Sequence, residues 1–146
     1  MAIDYGDVRT GVAVCDKFEM LASPVCVITE RNEDKVIEEI DIHAKTLKAE
    51  LIVVGLPKNM DSSIGERALK CREFAEKVSS VTGLETVLRD ERLSTVSAHN
   101  VLNATNTRGK KRKAVVDDVA AVMILQDYID YRKNQLLFIY FILHII

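Results

Sequence analysis

The sequence predicts an α/β protein with a mixed five-stranded sheet and helices on both faces. Three short apolar stretches rich in valine and isoleucine come first, at residues 2–5, 10–15 and 24–29. The links between them are short, which favours antiparallel neighbours. From Asn32 the apolar residues recur at helical spacing, and helices then alternate with two further strands. Antiparallel strands followed by alternating helices and strands produce a mixed sheet of this kind.

The fourth strand and the helix after it have clear boundaries. The stretch "ELIVVGLP", residues 50–57, is a continuous apolar run, which is typical of a strand buried on both faces of a sheet. The pattern "SIGE", from Ser63 to Glu66, is a capping box and predicts that a helix begins there. Gly83 is the expected C-cap of that helix.

Two more elements follow before a basic segment. The stretch "ETVLRDE", residues 85–91, predicts the fifth strand. The stretch "STVSAHNVLNA", residues 94–104, predicts a helix capped by Ser94 or Thr95. We expect one domain over residues 1–133, because the chain shows no internal repeat and no linker.

An apolar tail, residues 134–146, ends the chain. Its core "LLFIYFILHII" has eleven residues, whereas a helix that crosses a bilayer takes about 20, so no membrane span is expected. Three interpretations stay open: an additional buried helix or strand, a contact between subunits, or the product of an altered reading frame. A tail left uncovered would promote aggregation.

Charge and cysteine content limit the class of protein. The formal net charge is −2, so a nucleic-acid partner has to be bound by local rather than overall basicity. The three cysteines are odd in number and form no CxxC pair, which predicts free thiols in a reducing, cytoplasmic compartment. The first residues lack the basic and long apolar regions of a secretory signal.

Two acidic residues occupy places where an unpaired charge is unfavourable or where ligands bind. Asp4 interrupts the first strand, which the predicted topology places at the centre of the sheet. Backbone N–H groups that satisfy Asp4 are the structural alternative to a functional role. Glu91 ends the fifth strand, at the carboxyl edge where open α/β sheets bind ligands.

A third acid starts the final helix, which is predicted from Val115 to about Lys133. Asp117 aligns with Ala121 and Ile124 on an apolar stripe that has to face the sheet. An inward carboxylate needs a partner, and a cation is the usual one. Compensation of the helix dipole at the surface is the alternative for Asp117, and it is the simpler account of Asp118.

Carboxylates that converge on one edge repel each other unless a divalent cation neutralises them. Oxygen ligands suit Mg²⁺ or Mn²⁺, and no set of histidines and cysteines argues for zinc. Two such ions about 4 Å apart activate water and stabilise the leaving oxygen of a phosphodiester. This chemistry accounts for Asp4 in a central strand.

Four motifs resemble one known family: "DYGDVRTGVAVCD", "VVGLPKNMD", "DERLSTVSA" and "KRKAVVDDVAAVMILQDYID". The YqgF family consists of RuvX-type proteins with the RNase H-like fold of Holliday junction resolvases, to which processing of pre-16S rRNA is attributed. The resemblance runs from Ala2 to Tyr131. It implies a nuclease that uses Mg²⁺ or Mn²⁺ and acts on structured nucleic acid, with Asp4, Glu91 and Asp117 as its catalytic and metal-binding acids.

The chain departs from the family pattern at several points. Its first strand is shorter, Ser62 replaces a glycine common after "NMD", and Cys15 stands where serine is frequent. In the resolvases the second acid lies on the strand beside the first, whereas Glu91 is expected one strand further out. The tail has no counterpart. These departures leave open a catalytically silent RNA-binding module of the same fold.

Basic side chains near the acids are candidates for binding phosphates. The segment "RGKKRK", residues 108–113, is predicted as a loop over the acidic edge, and a solvated loop is the alternative. Arg9 is close enough to stabilise charge on phosphorus, or it pairs with Asp7 or Asp16. The loop after the fourth strand contributes two more candidates, unless its residues serve the turn alone. The predicted substrate-binding residues are Arg9, Lys58, Asn59, Lys110, Lys111, Arg112 and Lys113.

Other functions fit parts of the pattern. A DNA endonuclease that resolves Holliday junctions would use the same acids, and a homodimer is expected in that case because a symmetric junction needs two active sites. An actin-like ATPase or sugar kinase also begins with a strand, an Asp and a glycine-containing hairpin. Such enzymes have two lobes, for which this chain is too short.

Overall fold

The computed structural model describes residues 1–57, 65–90 and 109–145, of which 109–118 are described by their backbone alone. The five predicted strands are present, in the predicted order, with helices between them. The predicted helix at 94–104 lies outside the described residues. The described elements are β1 (Ala2–Asp4), β2 (Arg9–Cys15), β3 (Ala22–Thr29), α1 (Glu33–Thr46), β4 (Leu51–Leu56), α2 (Glu66–Thr82), β5 (Glu85–Asp90) and α3 (Gly109–Ile145).

The strands form one mixed sheet in the order β3-β2-β1-β4-β5. β1, β2 and β3 pair antiparallel, and β4 and β5 run parallel to β1. This topology confirms the predicted central position of β1. The three parallel strands end at the same edge of the sheet, so Asp4 lies at the edge where β4 and β5 also end.

Each face of the sheet packs against its own hydrophobic core. One cluster joins Ile3 and Val12 to side chains of α1 and α2 such as Phe74. The other joins Ala2 and Val53 to side chains of α3, with Ala121 and Ile124 fully buried among them. Successive residues of a strand point to opposite faces, so Ala2 and Ile3 enter different cores.

Residues typical of helix caps lie at two of the ends of α1 and α2. Asn32 caps α1 through its side chain, which accepts hydrogen bonds from the backbone N–H groups of Asp34 and Lys35. Gly83 ends α2 in the left-handed conformation, with φ of 69°, as expected for a C-cap glycine. α2 begins at Glu66, within the predicted pattern, but its N-cap is Gly65, which has no capping side chain, and Ser63 lies outside the described residues.

The last helix is longer than predicted at both ends. It begins at Gly109 and ends at Ile145, a span of 37 residues, instead of running from Val115 to about Lys133. The predicted basic loop is therefore wrong for residues 109–113, which form the first turns of α3. Lysine and arginine are good helix formers, so a helix can continue through them.

The tail continues α3 as an exposed helix. Side chains of α3 that reach the core end with Ile129, whereas every residue from Leu136 to Leu143 is between 43% and 69% exposed. The interpretation of the tail as a buried helix or strand is wrong. No helix within the described residues is long and apolar enough to cross a membrane.

One carboxylate links β1 to both helices of the first core. Glu33, at the start of α1, accepts a hydrogen bond of 2.7 Å from the hydroxyl of Tyr5 and pairs with the ammonium of Lys77 on α2. Burial by itself would raise the pKa of Glu33, but the hydrogen bonds from Lys77 and Tyr5 outweigh it and hold that pKa below its usual value. Burial and the bond to Glu33 also raise the pKa of Tyr5.

Removing the tail tests where the core ends. Deletion of residues 136–146 should leave the circular dichroism of the sheet and the melting temperature nearly unchanged, because the deleted side chains are exposed. Ile124→Ala, in the same helix but buried, should destabilise by roughly 2–5 kcal/mol. A truncated protein that is unfolded would show that the tail belongs to the core.

The pH dependence of folding tests the Glu33 link. A carboxyl group with a lowered folded pKa stabilises above its unfolded pKa of about 4.3 and loses that effect as pH falls through the folded pKa. Glu33→Gln should therefore be less stable than the wild type in denaturant unfolding at pH 7. The difference should shrink as the pH drops from about 5 towards 3. Glu38→Gln, exposed on the same helix, is the control. A difference that is independent of pH would contradict the assigned link.

Candidate active site

Asp4 is the last residue of the central strand and is partly buried. Its partner across the antiparallel pair with β2 is Gly11. On the other side, β1 and β4 pair Ile3 with Val54, so the next position of β4, beside Asp4, is Gly55. The positions paired with Asp4 on both neighbouring strands are therefore glycines. Glycine inside a strand often marks a place where another group approaches closely.

Strand alternation assigns Asp4 to the face covered by α3. Ile3 and Tyr5 belong to the core of α1 and α2, and Ala2 belongs to the core of α3. Asp4 shares the face of Ala2. Arg9, at the start of β2, alternates in the same way with Gly11 and Ala13, which are level with Asp4 and Ala2. Asp4 and Arg9 thus lie on one face, as the prediction for Arg9 requires.

The helix that carries Asp117 packs on this same face. Ala121 and Ile124 of α3 contact the cluster that contains Ala2, as predicted from their spacing. Asp117 belongs to α3 and precedes Ala121 by four residues, about one helical turn. The side chains of Asp117 and Asp118 lie outside the described residues.

The fifth strand lies two strands from Asp4. Its register places Arg89 beside Gly55, and Asp90 ends the strand. Two strand spacings separate β1 from β5, about 10 Å across the sheet. The predicted position of Glu91, one strand further out than the acid of the resolvases, stays a prediction, because Glu91, like Lys58 and Asn59, lies outside the described residues.

Among the residues that the structure describes, no group of three or more His, Cys, Asp or Glu residues is arranged to hold a metal ion. Of the three predicted acids, only Asp4 has a described side chain. The side chains of Lys110, Lys111, Arg112 and Lys113 are also outside the description, although their backbone forms the start of α3.

Sequence reasoning missed Arg89 as part of this edge. Its Nε donates to Oδ2 of Asp127 on α3 at 2.6 Å, and its guanidinium carbon Cζ lies 4.4 Å from the centre of the Tyr131 ring. This contact fastens α3 to β5 on the face of Asp4. Arg89 and Asp127 are 38 residues apart, so no local pattern could have paired them.

A second missed residue, Arg67, supports the turn between β1 and β2. Its Nη1 donates to Oδ1 of Asp7 at 2.9 Å and its Nη2 donates to the carbonyl oxygen of Tyr5 at 2.5 Å. Lys70 pairs with the same Asp7 oxygen at 2.5 Å. The hydrogen bond from Lys70 and the charge of Arg67 hold the pKa of Asp7 below its usual value. Asp7 and Asp16, the acids proposed as alternative partners of Arg9, thus have other contacts: Asp16 accepts from the N–H groups of Met20 and Leu21.

Residues 1–131 match the family described as RuvX, Holliday junction resolvase. The chain belongs to the RuvX family. A protein of Halothermothrix orenii named "Putative pre-16S rRNA nuclease" is 43% identical over 134 residues, which cover 92% of this chain and 96% of the relative. A Clostridioides difficile protein of the same name is 41% identical over 134 residues, covering 92% and 95%.

A solved structure shows the same fold as this RuvX family member. The structure of T. thermophilus RuvC in complex with Holliday junction substrate superposes with a TM-score of 0.57, covering 90% of this chain and 93% of RuvC at 11% identity. This likeness confirms the predicted RNase H-like fold. Family membership confirms the predicted class, a nuclease and hence a hydrolase. It gives no support to the actin-like ATPase.

Proposed function

We propose that this RuvX protein hydrolyses phosphodiester bonds at the 5′ end of pre-16S rRNA, in the cytoplasm. Residues 1–133 would form the nuclease domain, with the tail at 134–146 outside it. The observation that supports a catalytic site is the position of Asp4, partly buried at the end of the central strand between Gly11 and Gly55. The name shared by the curated relatives supports the choice of RNA.

The donor chemistry of the proposed site fits Mg²⁺ or Mn²⁺. Asp4, Glu91 and Asp117 would hold the ion, since carboxylate oxygens are the ligands that these hard cations prefer. Asp117 belongs to the helix packed on the face of Asp4, so α3 would bring a second acid to the same side of the sheet. When bound, the ion would supply a Lewis acid that makes water nucleophilic and neutralises charge on the phosphodiester.

The chain's own residues would bind and orient the substrate around Asp4. Arg9 shares the face of Asp4 and is the residue best placed to stabilise negative charge on the phosphoryl oxygens. Lys58 and Asn59 follow β4, whose end is beside Asp4, and would contact the nucleic-acid backbone. Asp4 would both orient the attacking water and hold the ion.

The basic residues at the start of α3 would bind the phosphate backbone. Because the helix turns about 100° per residue, Lys110 and Lys113 share a helix face with Asp117, while Lys111 and Arg112 lie on the opposite face. The first pair would therefore be nearer the proposed site. Positive charge there would supply the local basicity that a chain of net charge −2 lacks overall.

Two charge-matched double variants test this arrangement. Lys110→Gln with Lys113→Gln should weaken binding of a structured RNA and reduce the slope of log K against log salt by about 0.7 for each single-strand phosphate that the variant no longer neutralises. Lys111→Gln with Arg112→Gln removes the same charge from the opposite helix face and should have a smaller effect. Equal effects of the two double variants would show that the segment acts as a general basic surface. Salt slopes equal to that of the wild type would show that the segment does not bind the RNA.

Replacing Asp4 tests the catalytic site. Asp4→Asn keeps the shape of the side chain but removes the charge that would hold the ion, so cleavage in Mn²⁺ should fall by several orders of magnitude. RNA binding should persist, because other residues supply it. Stability without metal should stay equal or rise, since repulsion with the other acids is removed. Asp130→Asn, exposed on α3, is the matched control.

The assay panel consists of precursor 16S rRNA fragments, unrelated structured RNAs and four-way DNA junctions, each with and without Mn²⁺. Preferred cleavage of the DNA junction would show that the protein is a resolvase and not an RNA-processing enzyme. A resolvase would also have to act as a dimer. Binding of RNA without cleavage would identify a silent RNA-binding module. Two results together would overturn the catalytic role of Asp4. The melting point of the wild type would not change in millimolar Mn²⁺, and Asp4→Asn would be less stable but equally active.

A further inference from the structure

The turn between β1 and β2 joins the two described residues of the proposed site. Asp4 ends β1 and Arg9 begins β2, so the four residues between them, 5–8, fix the distance between a proposed metal ligand and a proposed phosphate ligand. The turn is tight: a Cβ atom added at Gly6 would lie 2.1 Å from the carbonyl oxygen of Arg9. Only glycine fits there, and small shifts of the turn would move Asp4 and Arg9 relative to each other.

Arg67 holds this turn from the opposite face of the sheet. Its guanidinium donates to the carbonyl oxygen of Tyr5, on one side of Gly6, and to the carboxylate of Asp7, on the other. A planar guanidinium can form two such bonds at fixed geometry, which an ammonium group cannot. Arg67 lies in the first turn of α2 and is 39% exposed, so it is reached by solvent but is not part of the face of Asp4.

The first of these two anchor points is itself immobile. The ring of Tyr5 stacks on Phe74 with centroids 3.8 Å apart and planes 5° from parallel, and its hydroxyl donates to Glu33. The guanidinium of Arg67 lies 5.5 Å from the centre of the same ring. Tyr5 is therefore held by contacts of its ring, its hydroxyl and its carbonyl. Through its second hydrogen bond, Arg67 also holds Asp7, on the other side of Gly6.

We propose that Arg67 is a positioning residue for the nuclease reaction: by bridging Tyr5 and Asp7 it sets the spacing between Asp4 and Arg9. It touches neither substrate nor metal. The inference rests on the proposed function, in which Asp4 and Arg9 act on the phosphodiester. A misplacement of about 1 Å in a reacting group can lower a rate by on the order of 100-fold.

Three variants of α2 separate positioning from charge and from stability. Arg67→Met removes both hydrogen bonds, and Arg67→Lys keeps the charge near Asp7 but cannot form the fork. Arg72→Met removes an exposed arginine from the same helix and is the matched control. Each variant is measured for kcat and KM on precursor 16S rRNA fragments in Mn²⁺, for melting temperature, and for amide hydrogen exchange at residues 6–8.

For Arg67→Met we expect kcat to fall by roughly 10- to 100-fold, with KM changed by less than about threefold and exchange at residues 6–8 accelerated. Arg67→Lys should behave like Arg67→Met, and Arg72→Met like the wild type. Recovery of kcat by Arg67→Lys would show that charge alone matters and would overturn the proposal. So would a rise in KM with kcat unchanged, which would make Arg67 a substrate ligand.

The failure of this inference is distinguishable from the failure of the proposed function. If the wild type cleaves no substrate of the panel, the proposed nuclease role of Asp4 fails. Hydrogen exchange alone then tests whether Arg67 orders the turn. Unchanged exchange at residues 6–8 in Arg67→Met would overturn the bridge as well. If Arg67→Met does not fold, Asp7→Ala, which removes the acceptor at residue 7 and leaves the bond to Tyr5, should give an intermediate fall in kcat and the same local rise in exchange.

Discussion

A charged carboxylate at the end of a strand covered on both faces is the constraint on which the rest of the structure depends. β1 has only three residues, and its neighbours are an antiparallel strand on one side and a parallel strand on the other. A carboxylate there is favourable only with an opposite charge or hydrogen-bond donors near it. The two strands beside Asp4 place glycines at the paired positions, and Arg9 and α3 lie on its face. The two faces of the sheet therefore have different roles: the face of α3 contains the proposed catalytic residues, and the face of α1 and α2 contains the side chains that support the turn after β1.

Much of the fold could be predicted because strand and helix periodicity differ. The strand bounds, the central place of β1 and the C-cap at Gly83 all followed from local patterns. The ends of α3 did not. A run of lysine and arginine beside Gly109 is typical of a loop but is compatible with a helix, and the mostly apolar tail has no amphipathic period by which a helix can be recognised.

Site residues could be predicted only where the type of a residue and its place in one strand or helix suggest a chemical role by themselves. Asp4 attracts attention because a central strand rarely contains an acid, and Arg9 lies on its face as expected. The contacts that order the site are of another kind. Arg67 bonds Tyr5 across 62 residues of sequence, and Arg89 pairs with Asp127 across 38. Such pairs arise from the packing of helices on the sheet, and neither partner carries a local signal of the other.

The charges at the start of α3 are unfavourable for an isolated helix. The helix places four cations directly after Gly109 and has no acid in its first turn, although the N-terminus of a helix favours negative charge. Each cation near that end is unfavourable by about 0.3–1 kcal/mol at low ionic strength. A polyanion bound there would remove this penalty, because its phosphates would meet the cations and the positive end of the helix dipole together. The arrangement would therefore be unfavourable in the isolated protein and favourable in the proposed complex with nucleic acid. This difference supports the proposal that the basic residues one to two turns before Asp117 bind phosphate.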